Sequence, residues 1–331
     1  MSSLKEIAQI AGVDVSTVSR ALNDSPRVKR ETKELIKNLA KQYNYVPDEL
    51  ARGLVNRKTY TVGIIIPEFL NTFYAEIIEG LESVFSVDGY SMLFGKSDFN
   101  LENEIKCLDL FFRKRVDGII CCAVSKDALE HIKKCKREIP IVMVDPFTSC
   151  PEFDNVSIDN SYGVQCVIEY LLKLGHKRIG FIGDSIVTTE RLEAYKKSLG
   201  QFHVPVREEY IAVGQERYEH GGYLRMQELL RLEERPTAVF SVTDNMAIGA
   251  IHAAREANLN IPEDISIVGF DDIMVSSYLN TPLSTVLQPK YEIGKMSADL
   301  LLDRINNKGS KFMQQIVLKP ELVERNTVMR T

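Results

Sequence analysis

Two periodicities divide the chain. In "LKEIAQIAGVDVSTVSRALN" the apolar Leu4, Ile7, Ala8 and Ala11 recur at helical spacing, and Gly12 can supply the positive φ that ends a helix. Asp14 suits the cap of a second helix, because a carboxylate accepts the free first-turn amides and favours the positive end of the dipole. That second helix, about Val15 to Leu22, turns Val18, Ala21 and Leu22 inward and Val15, Ser16, Thr17, Ser19 and Arg20 outward. A third helix after "NDSPR" carries Leu35, Ile36, Leu39, Ala40 and Tyr43 as its stripe, with Lys29, Lys33, Lys37 and Lys41 on another side.

From Tyr60 onward the pattern changes to continuous apolar runs alternating with amphipathic stretches. "TVGIII", "SMLFG", "VDGIICCAV", "PIVMVD", "RIGFIGD", "AVFSV" and "SIVGFDD" read as strands; "FYAEIIEGLESVF", "NSYGVQCVIEYLLKLG" and "NMAIGAIHAAREANL" have helical period. Strands apolar on both faces and separated by helices imply parallel sheets covered on both sides, an α/β class with an all-α head. Some 270 residues exceed one such sheet, so two lobes are expected. Ligands in these folds bind beyond the carboxyl ends of strands, which puts "IPEF", "VMVDPF", "SVTDN" and "VGFDD" around one cleft. Taken singly, each loop carboxylate there could equally be a helix cap.

Charge sharpens the division. The 331 residues carry a net charge of -5, yet residues 1–58 hold 11 Lys and Arg against 7 Asp and Glu, leaving 30 against 39 in the rest. A head at +4 on a body at -9 fits a head that meets a polyanion. Small residues around one arginine on the second helix let a backbone approach a groove closely and give Arg20 reach toward guanine acceptors, although an isolated segment of this kind could be a plain surface helix. The lysine side of the third helix reads either as a solvated face or as a neighbour of phosphates.

Other classes are excluded by what the pattern lacks. No apolar run nears the ~18 residues of a membrane span and the start lacks a secretory pattern, so a cytoplasmic protein is expected. The six cysteines (Cys107, Cys121, Cys122, Cys135, Cys150, Cys166) have no metal-ligand spacing and read as reduced thiols, with Cys121 and Cys122 in a buried strand. No GxxxxGK[ST], HExxH or GxSxG pattern appears, and His131, His176, His203, His220 and His252 form no local cluster; no catalysis, metal or cofactor is expected. His176 sits in a helix-to-strand turn suited to a structural hydrogen bond. A transport-type binding protein would suit the body but not the basic head.

"LKEIAQIAGVDVSTVSRALN" with "VKRETKELIKNLAKQYNYVPDELARGL" resembles the DNA-binding head and hinge of the LacI/GalR family of bacterial transcription regulators, and the likeness runs over nearly the whole chain. The resemblance places Val15, Ser16 and Arg20 at base-reading positions, and Thr17, Ser19, Asn23, Arg27 and Tyr45 where the family holds phosphates or seats the head. "PDELARGLVNRK" then matches the family's hinge helix, with Leu54 as the wedge between central base pairs, Ala51 beside it and Arg52 near phosphates. At about seven residues, with Gly53 inside, this segment is far below the ~12–15 residues an isolated helix needs, so DNA and a partner hinge would have to stabilise it.

"LGHKRIGFI", "RPTAVFSVTDNMAIGAI", "IPEDISIVGFDD" and "LSTVLQP" likewise match the family's two-lobed type I periplasmic-binding-protein body. The implied divisions are a helix-turn-helix domain at 1–46, a hinge and linker at 47–59 and an effector and dimerisation domain at 60–331. Its first lobe covers about 60–160 plus 291–320, its second about 161–290 plus 321–331. Phe73, Tyr74, Asp145, Arg191, Thr243 and Asp271 match positions that line the effector cleft. Carboxylates that accept from vicinal hydroxyls, a guanidinium fork and an aromatic pair suit a polyhydroxylated ligand.

The family's aromatic platform falls in "GQERYEHGGY", at Arg217 or Tyr218. If Arg217 points into the cleft, its charge calls for an effector carboxylate or phosphate; the competing reading is an exposed Arg217 paired with Glu216 or Glu219. The expected effector is therefore a sugar, sugar acid or sugar phosphate.

The expected function is repression of a carbohydrate-utilisation operon by a homodimer on a pseudopalindromic double-stranded operator, without the leucine heptads that build tetramers. Within the family, a global catabolite regulator with a phosphoprotein corepressor and a purine-type corepressed repressor are the alternatives. "YEIGKMSADLLLDRI" puts Asp299 and Asp303 at the positions where the catabolite regulator has basic residues, which would repel a phosphoprotein.

Overall fold

A computed structural model describes residues 4–22, 24–45, 58–123, 125–134, 139–146, 150–308 and 311–331. Asn23, Cys135 and the hinge residues Ala51, Arg52 and Leu54 lie outside the described residues. The chain divides into two units, Met1–Tyr60 and Thr61–Thr331.

The first unit has three helices, α1 (Leu4–Ala11), α2 (Val15–Leu22) and α3 (Arg30–Gln42). Gly12 takes φ 63° and lets Val13 N donate to the Ala8 carbonyl at 3.1 Å, closing α1 and reversing the chain within a few residues. The Asp14 carbonyl then accepts from Thr17 N and Val18 N, starting α2. Ile7, Ala8, Val18, Ala21, Ile36 and Ala40 form the core where the three helices meet. Leu35 and Tyr43, part of the expected stripe, are instead exposed. Ile36 and Ala40 set the buried line of α3 and Leu39 packs beside them, which leaves Leu35 and Tyr43 at the margins of the stripe.

The second unit holds two parallel sheets. The first runs β11-β5-β4-β3-β1-β2, with β1 (Thr61–Ile66), β2 (Ser91–Lys96), β3 (Gly118–Cys122), β4 (Ile141–Val144), β5 (Asp154–Ile158) and β11 (Gln315–Leu318). The second runs β7-β6-β8-β9, with β6 (Ile179–Asp184), β7 (Ile211–Gly214), β8 (Ala238–Ser241) and β9 (Ser266–Val268). A small antiparallel pair, β10 (Thr285–Leu287) with β12 (Glu321–Val323), extends it through bridges from Val268 to Ser284 and Asp271 to Leu287. The central strands β1, β3, β4, β6 and β8 are buried almost end to end, as strands covered on both faces must be.

Helices α4 (Thr72–Phe85), α5 (Leu101–Lys114) and α6 (Lys126–Lys134) cover the first sheet; α7 (Asn160–Lys173), α8 (Thr188–Gln201), α9 (Tyr218–Leu230) and α10 (Asp244–Glu256) serve the second. The last helix, α11 (Lys290–Ile305), returns to pack on α4 and on β3, β4 and β5. Gly80 and Gly294 face each other's backbones there; a Cβ on either would meet the Tyr291 or Ile77 carbonyl oxygen, so only glycine allows this approach. The chain thus passes between the lobes three times, around 158–160, 287–290 and 318–321, and Gln288 at the second of these crossings lines the cleft.

Cys121 and Cys122 are fully buried in β3, and burial pushes the Cys122 thiol up to about 12. His176 is a structural residue: its ring bonds Thr237 Oγ1 and the Met329 carbonyl, each at 2.9 Å.

Candidate functional site

On the head, α2 presents Val15, Ser16 and Arg20 to solvent, with Thr17 and Ser19 half-buried at its flanks. Arg27 is exposed in the loop before α3. Tyr45 packs partly against the head core while its amide donates to the Ala40 carbonyl at 2.8 Å, so it anchors the end of α3. The lysine side of α3 is partly occupied from within. Lys37 Nζ donates to both Asp24 carboxylate oxygens at 2.9 and 2.8 Å, and Lys33 Nζ donates to the Asp24 carbonyl at 2.9 Å.

In the body, all seven expected effector residues, Phe73, Tyr74, Asp145, Arg191, Arg217, Thr243 and Asp271, line one interlobe cavity of about 50 Å³. The reason is topological. Glu68, Phe99, Ala123 and Asp145 follow β1, β2, β3 and β4, while Asp184 ends β6 and Arg217, Thr243 and Asp271 follow β7, β8 and β9. Parallel sheets bring their carboxyl ends to one side, so eight loops of distant sequence converge. Five cleft residues hold backbone conformations that only a strongly determined fold maintains: Phe99 at φ 54°, Ala123 at φ 51°, Asp145 at φ 45°, Tyr218 at φ 56° and Asp271 at φ 120°.

Arg191 is the fixed centre. It is buried on α8; its Nε donates to Asn160 Oδ1 at 2.9 Å, an Nη1 proton goes to the Val242 carbonyl, and the guanidinium lies 3.8 Å from the centre of the Phe270 ring. Nη1 stands 3.7 Å from Asp271 Oδ1, and Gln288 Nε2 donates to the same oxygen at 2.6 Å. Burial nevertheless raises the Asp271 carboxyl to about 7, with Arg191 opposing the shift. Burial likewise raises Asp145, again opposed by Arg191. Phe73 and Tyr74 meet edge to face at 5.1 Å, both buried, and Thr243 Oγ1 accepts from Met246 N, leaving its own proton for other use.

Arg217 differs from both readings offered by the sequence. It enters the cleft, but its partners are Glu68 Oε1 at 2.6 Å and Asp184 Oδ2 at 3.2 Å, not Glu216 or Glu219. Glu216 pairs with Arg225 instead. Tyr218 also lines the cavity, so both candidate platform positions reach it.

Several cleft residues were not singled out by the sequence: Asn71, Phe99, Asp184 and Gln288, while Glu68 was marked only as part of the strand-end loop "IPEF". Glu68 follows β1 and Asp184 ends β6, and a place at a strand's carboxyl end was their only signal. Asp184 doubles as a turn cap, accepting from Ile186 N and Val187 N at 2.8 Å each. Gln288 keeps a buried Oε1 without a hydrogen-bond donor among the described residues. By contrast Asp244, in "SVTDN", is purely structural: buried, it accepts from Ile273 N, Ser276 Oγ and Thr285 Oγ1. Among the described residues no group of His, Cys, Asp or Glu is arranged to hold a metal ion, and no helix is long and apolar enough to cross a membrane.

A helix-turn-helix head on a two-lobed parallel-sheet body with a polar cleft defines the class of effector-responsive DNA-binding regulators. Residues 3–48 match the family described as bacterial regulatory proteins, lacI family, and residues 168–328 match the periplasmic binding protein-like domain. The chain is 34% identical over 310 residues to catabolite control protein A of Priestia megaterium, covering 92% of each. It is 35% identical over 333 residues to the HTH-type transcriptional repressor PurR of Erwinia tasmaniensis, covering 99% of this chain and 97% of that one. The chain belongs to the LacI family of bacterial transcription regulators.

Solved structures agree on the architecture. The Lac repressor dimer bound to operator and the anti-inducer ONPF matches with a TM-score of 0.90 at 24% identity, over 99% of both chains. The complex of the transcriptional regulator CelR with cellobiose matches at 0.74 and 28% identity, over 99% of this chain and all of that one.

Proposed function

We propose that this protein is a cytoplasmic, non-enzymatic repressor of carbohydrate-utilisation genes, acting as a homodimer on a pseudopalindromic operator and controlled by a small hydroxylated effector in the interlobe cleft. One observation carries the effector reading: acceptors from both lobes converge on one cavity, among them the Asp145 and Asp271 carboxylates and the undonated Gln288 Oε1. Hydroxyl groups are the donors that such a set accepts. Val15, Ser16 and Arg20 read bases, while Thr17, Ser19, Asn23, Arg27 and Tyr45 seat the head. The segment 47–59 is the hinge, with Ala51, Arg52 and Leu54 at the minor groove.

The homodimer is supported by apolar surface that a monomer would not leave to water. At the outer rim of the cleft mouth, Leu70 after β1 and Tyr278 after β9 are 97% and 80% exposed, with Phe69, Met274 and Val275 beside them, a rim that a second copy can cover while the groove of about 940 Å³ between the lobes stays open to the effector. Effector binding would change lobe closure and thereby the spacing of the two heads, a coupling that needs only ~1–3 kcal/mol of differential affinity.

A catabolite-type regulator with a phosphoprotein corepressor is disfavoured by α11, whose outward positions Glu292, Asp299 and Asp303 outnumber Lys295. A purine-type corepressor remains an outcome of the same test. Footprinting on the upstream region of the protein's own gene cluster, with and without candidate sugars or purines, should reveal a palindromic protected site that a sugar releases. A site strengthened by a purine would replace the inducer reading, and no palindromic site at all would end the operator reading.

A further inference from the structure

Arg217 stands in the cleft with its charge already met from both lobes. Glu68 and Phe99 belong to the first lobe, Asp184 and Tyr218 to the second. Besides its two ion pairs, the guanidinium lies 4.0 Å from the Phe99 ring centre and 4.8 Å from that of Tyr218. The side chains of Arg217, Glu68 and Asp184 are only 17%, 14% and 3% exposed, so water screens little of this cluster. One guanidinium thus serves two carboxylates, with Asp145 and Asp271 in the same cavity. The other cation, Arg191, is held by Asn160, the Val242 carbonyl, Phe270 and Asp271. At the mouth, Lys96 is taken by Asp98 at 2.6 Å.

We propose that Arg217 is a specificity-determining residue: clasped by Glu68 across the cleft and by Asp184 on its own lobe, it makes the cleft take uncharged, hydroxyl-rich ligands and reject sugar acids and sugar phosphates. The proposal rests on the reading of this cleft as the effector site. The cavity of about 50 Å³ that holds Asp145 and Asp271 adjoins, through Asn71, Tyr218 and Asn245, the open groove of about 940 Å³ walled by Glu68, so a sugar entering from the groove meets the Arg217–Glu68 clasp, and reaching the inner carboxylates requires Arg217 to swing or the lobes to part. Either movement breaks the contact with Glu68 while Asp184 can keep its own. The entering ligand then meets an unmasked carboxylate, not a free cation. Clasp closed or clasp open, an anion finds no unpaired partner among the described residues of the cleft, whereas hydroxyls find Asp145, Asp271 and Gln288 ready to accept.

The test is calorimetry and thermal shift on the full chain with D-ribose, D-glucose and cellobiose against ribose 5-phosphate, glucose 6-phosphate and D-glucuronate. Wild type should bind at least one uncharged sugar, and that sugar's charged derivative at least about tenfold more weakly. Glu68→Gln leaves Arg217 one carboxylate short and should narrow the gap by about tenfold. Arg217→Met added to Glu68→Gln should restore it. A wild type that prefers the acid or phosphate, with the preference lost in Arg217→Met, would overturn the assignment. So would a gap unchanged in a Glu68→Gln variant whose circular dichroism shows it folded. If no sugar of either charge binds any form, the effector reading of the cleft falls and this proposal with it, an outcome distinct from uncharged binding without discrimination.

Discussion

Lys290 Nζ donates to the backbone carbonyl of Asp271 at 2.6 Å, from the point where the chain crosses from the second lobe back to the first. The same ammonium donates to the Asp272 carbonyl at 2.9 Å and lies 3.3 Å from Glu76 Oε1 on α4. With Lys290 only 1% exposed, these oxygens have replaced its water. It therefore ties the strained loop that carries Asp271 to a helix of the other lobe. Lys290→Met keeps the volume and removes the donor, leaving two carbonyls to seek new partners. The expected cost is about 2–4 kcal/mol of stability by urea unfolding, with weaker effector binding because Asp271 is no longer held. A loss under about 0.5 kcal/mol would show that the contact is incidental.

Asp271 makes the protein pH-dependent in two opposed ways. Its folded carboxyl is raised to about 7 by burial, above the ordinary value of 3.8, so near pH 5–6 the folded state holds a proton the unfolded chain has released. Stability from this group is fully present below its unfolded value and is lost as pH rises through about 7. Asp271→Asn should flatten that fall, measured as unfolding free energy between about pH 4 and pH 8. Effector affinity should move the other way, because a hydroxyl donates best to the ionised carboxylate. Calorimetry should find tighter binding as pH rises from about 6 to about 8, accompanied by proton release. PH-independent binding would remove Asp271 from contact with the ligand.

Where the sequence is legible, burial explains why. β1, β3, β4, β6 and β8 are central strands, so both faces must be apolar and they stand out as runs. β5 alternates buried and half-buried residues, β7 and β11 lie at sheet edges, and β10 and β12 are three residues each. Their apolar runs, such as those at 211–213 and 316–318, are three residues at most.

The cleft is legible in part for a related reason: strand ends mark it, and Asp145, Thr243 and Asp271 fall there, whereas the helix residues Phe73, Tyr74 and Arg191 were placed in it only by the resemblance to the family. What no local pattern reveals is pairing. Glu68 precedes Arg217 by 149 positions, and only the tertiary fold tells that the arginine is neutralised from within. Asp244 shows the converse, a strand-end carboxylate of the expected type that serves packing alone.

On the head, Asp24 restrains the basic face it adjoins. Its carboxyl is held below the usual range by the hydrogen bond from Lys37, and its backbone takes φ 53°, which asparagine also tolerates. Asp24→Asn should free Lys37 and part of Lys33 without disturbing the turn. If Lys37 then reaches a phosphate, binding to nonspecific duplex DNA should strengthen and its logarithmic salt slope should steepen by about 0.9. Fluorescence anisotropy across a salt series reads both. An unchanged slope would mean that this side of α3 stays in solvent on DNA.

Arg20 offers the sharper test of how the head reads sequence. It is exposed on α2 beside Ser16, at a position whose neighbours Val18 and Ala21 are buried and hold the helix rigid. A long fork on a fixed backbone can reach guanine O6 and N7 together, which a flexible loop could not present with the same register. Arg20→Ala should cost ~1–3 kcal/mol on the operator while leaving binding to random duplex nearly unchanged, since phosphate contacts are untouched. Measured against a set of operators altered one base pair at a time, the variant should lose discrimination at one position in each half-site. If affinity instead falls equally on operator and random DNA, Arg20 holds a phosphate, and base reading must come from Val15 and Ser16.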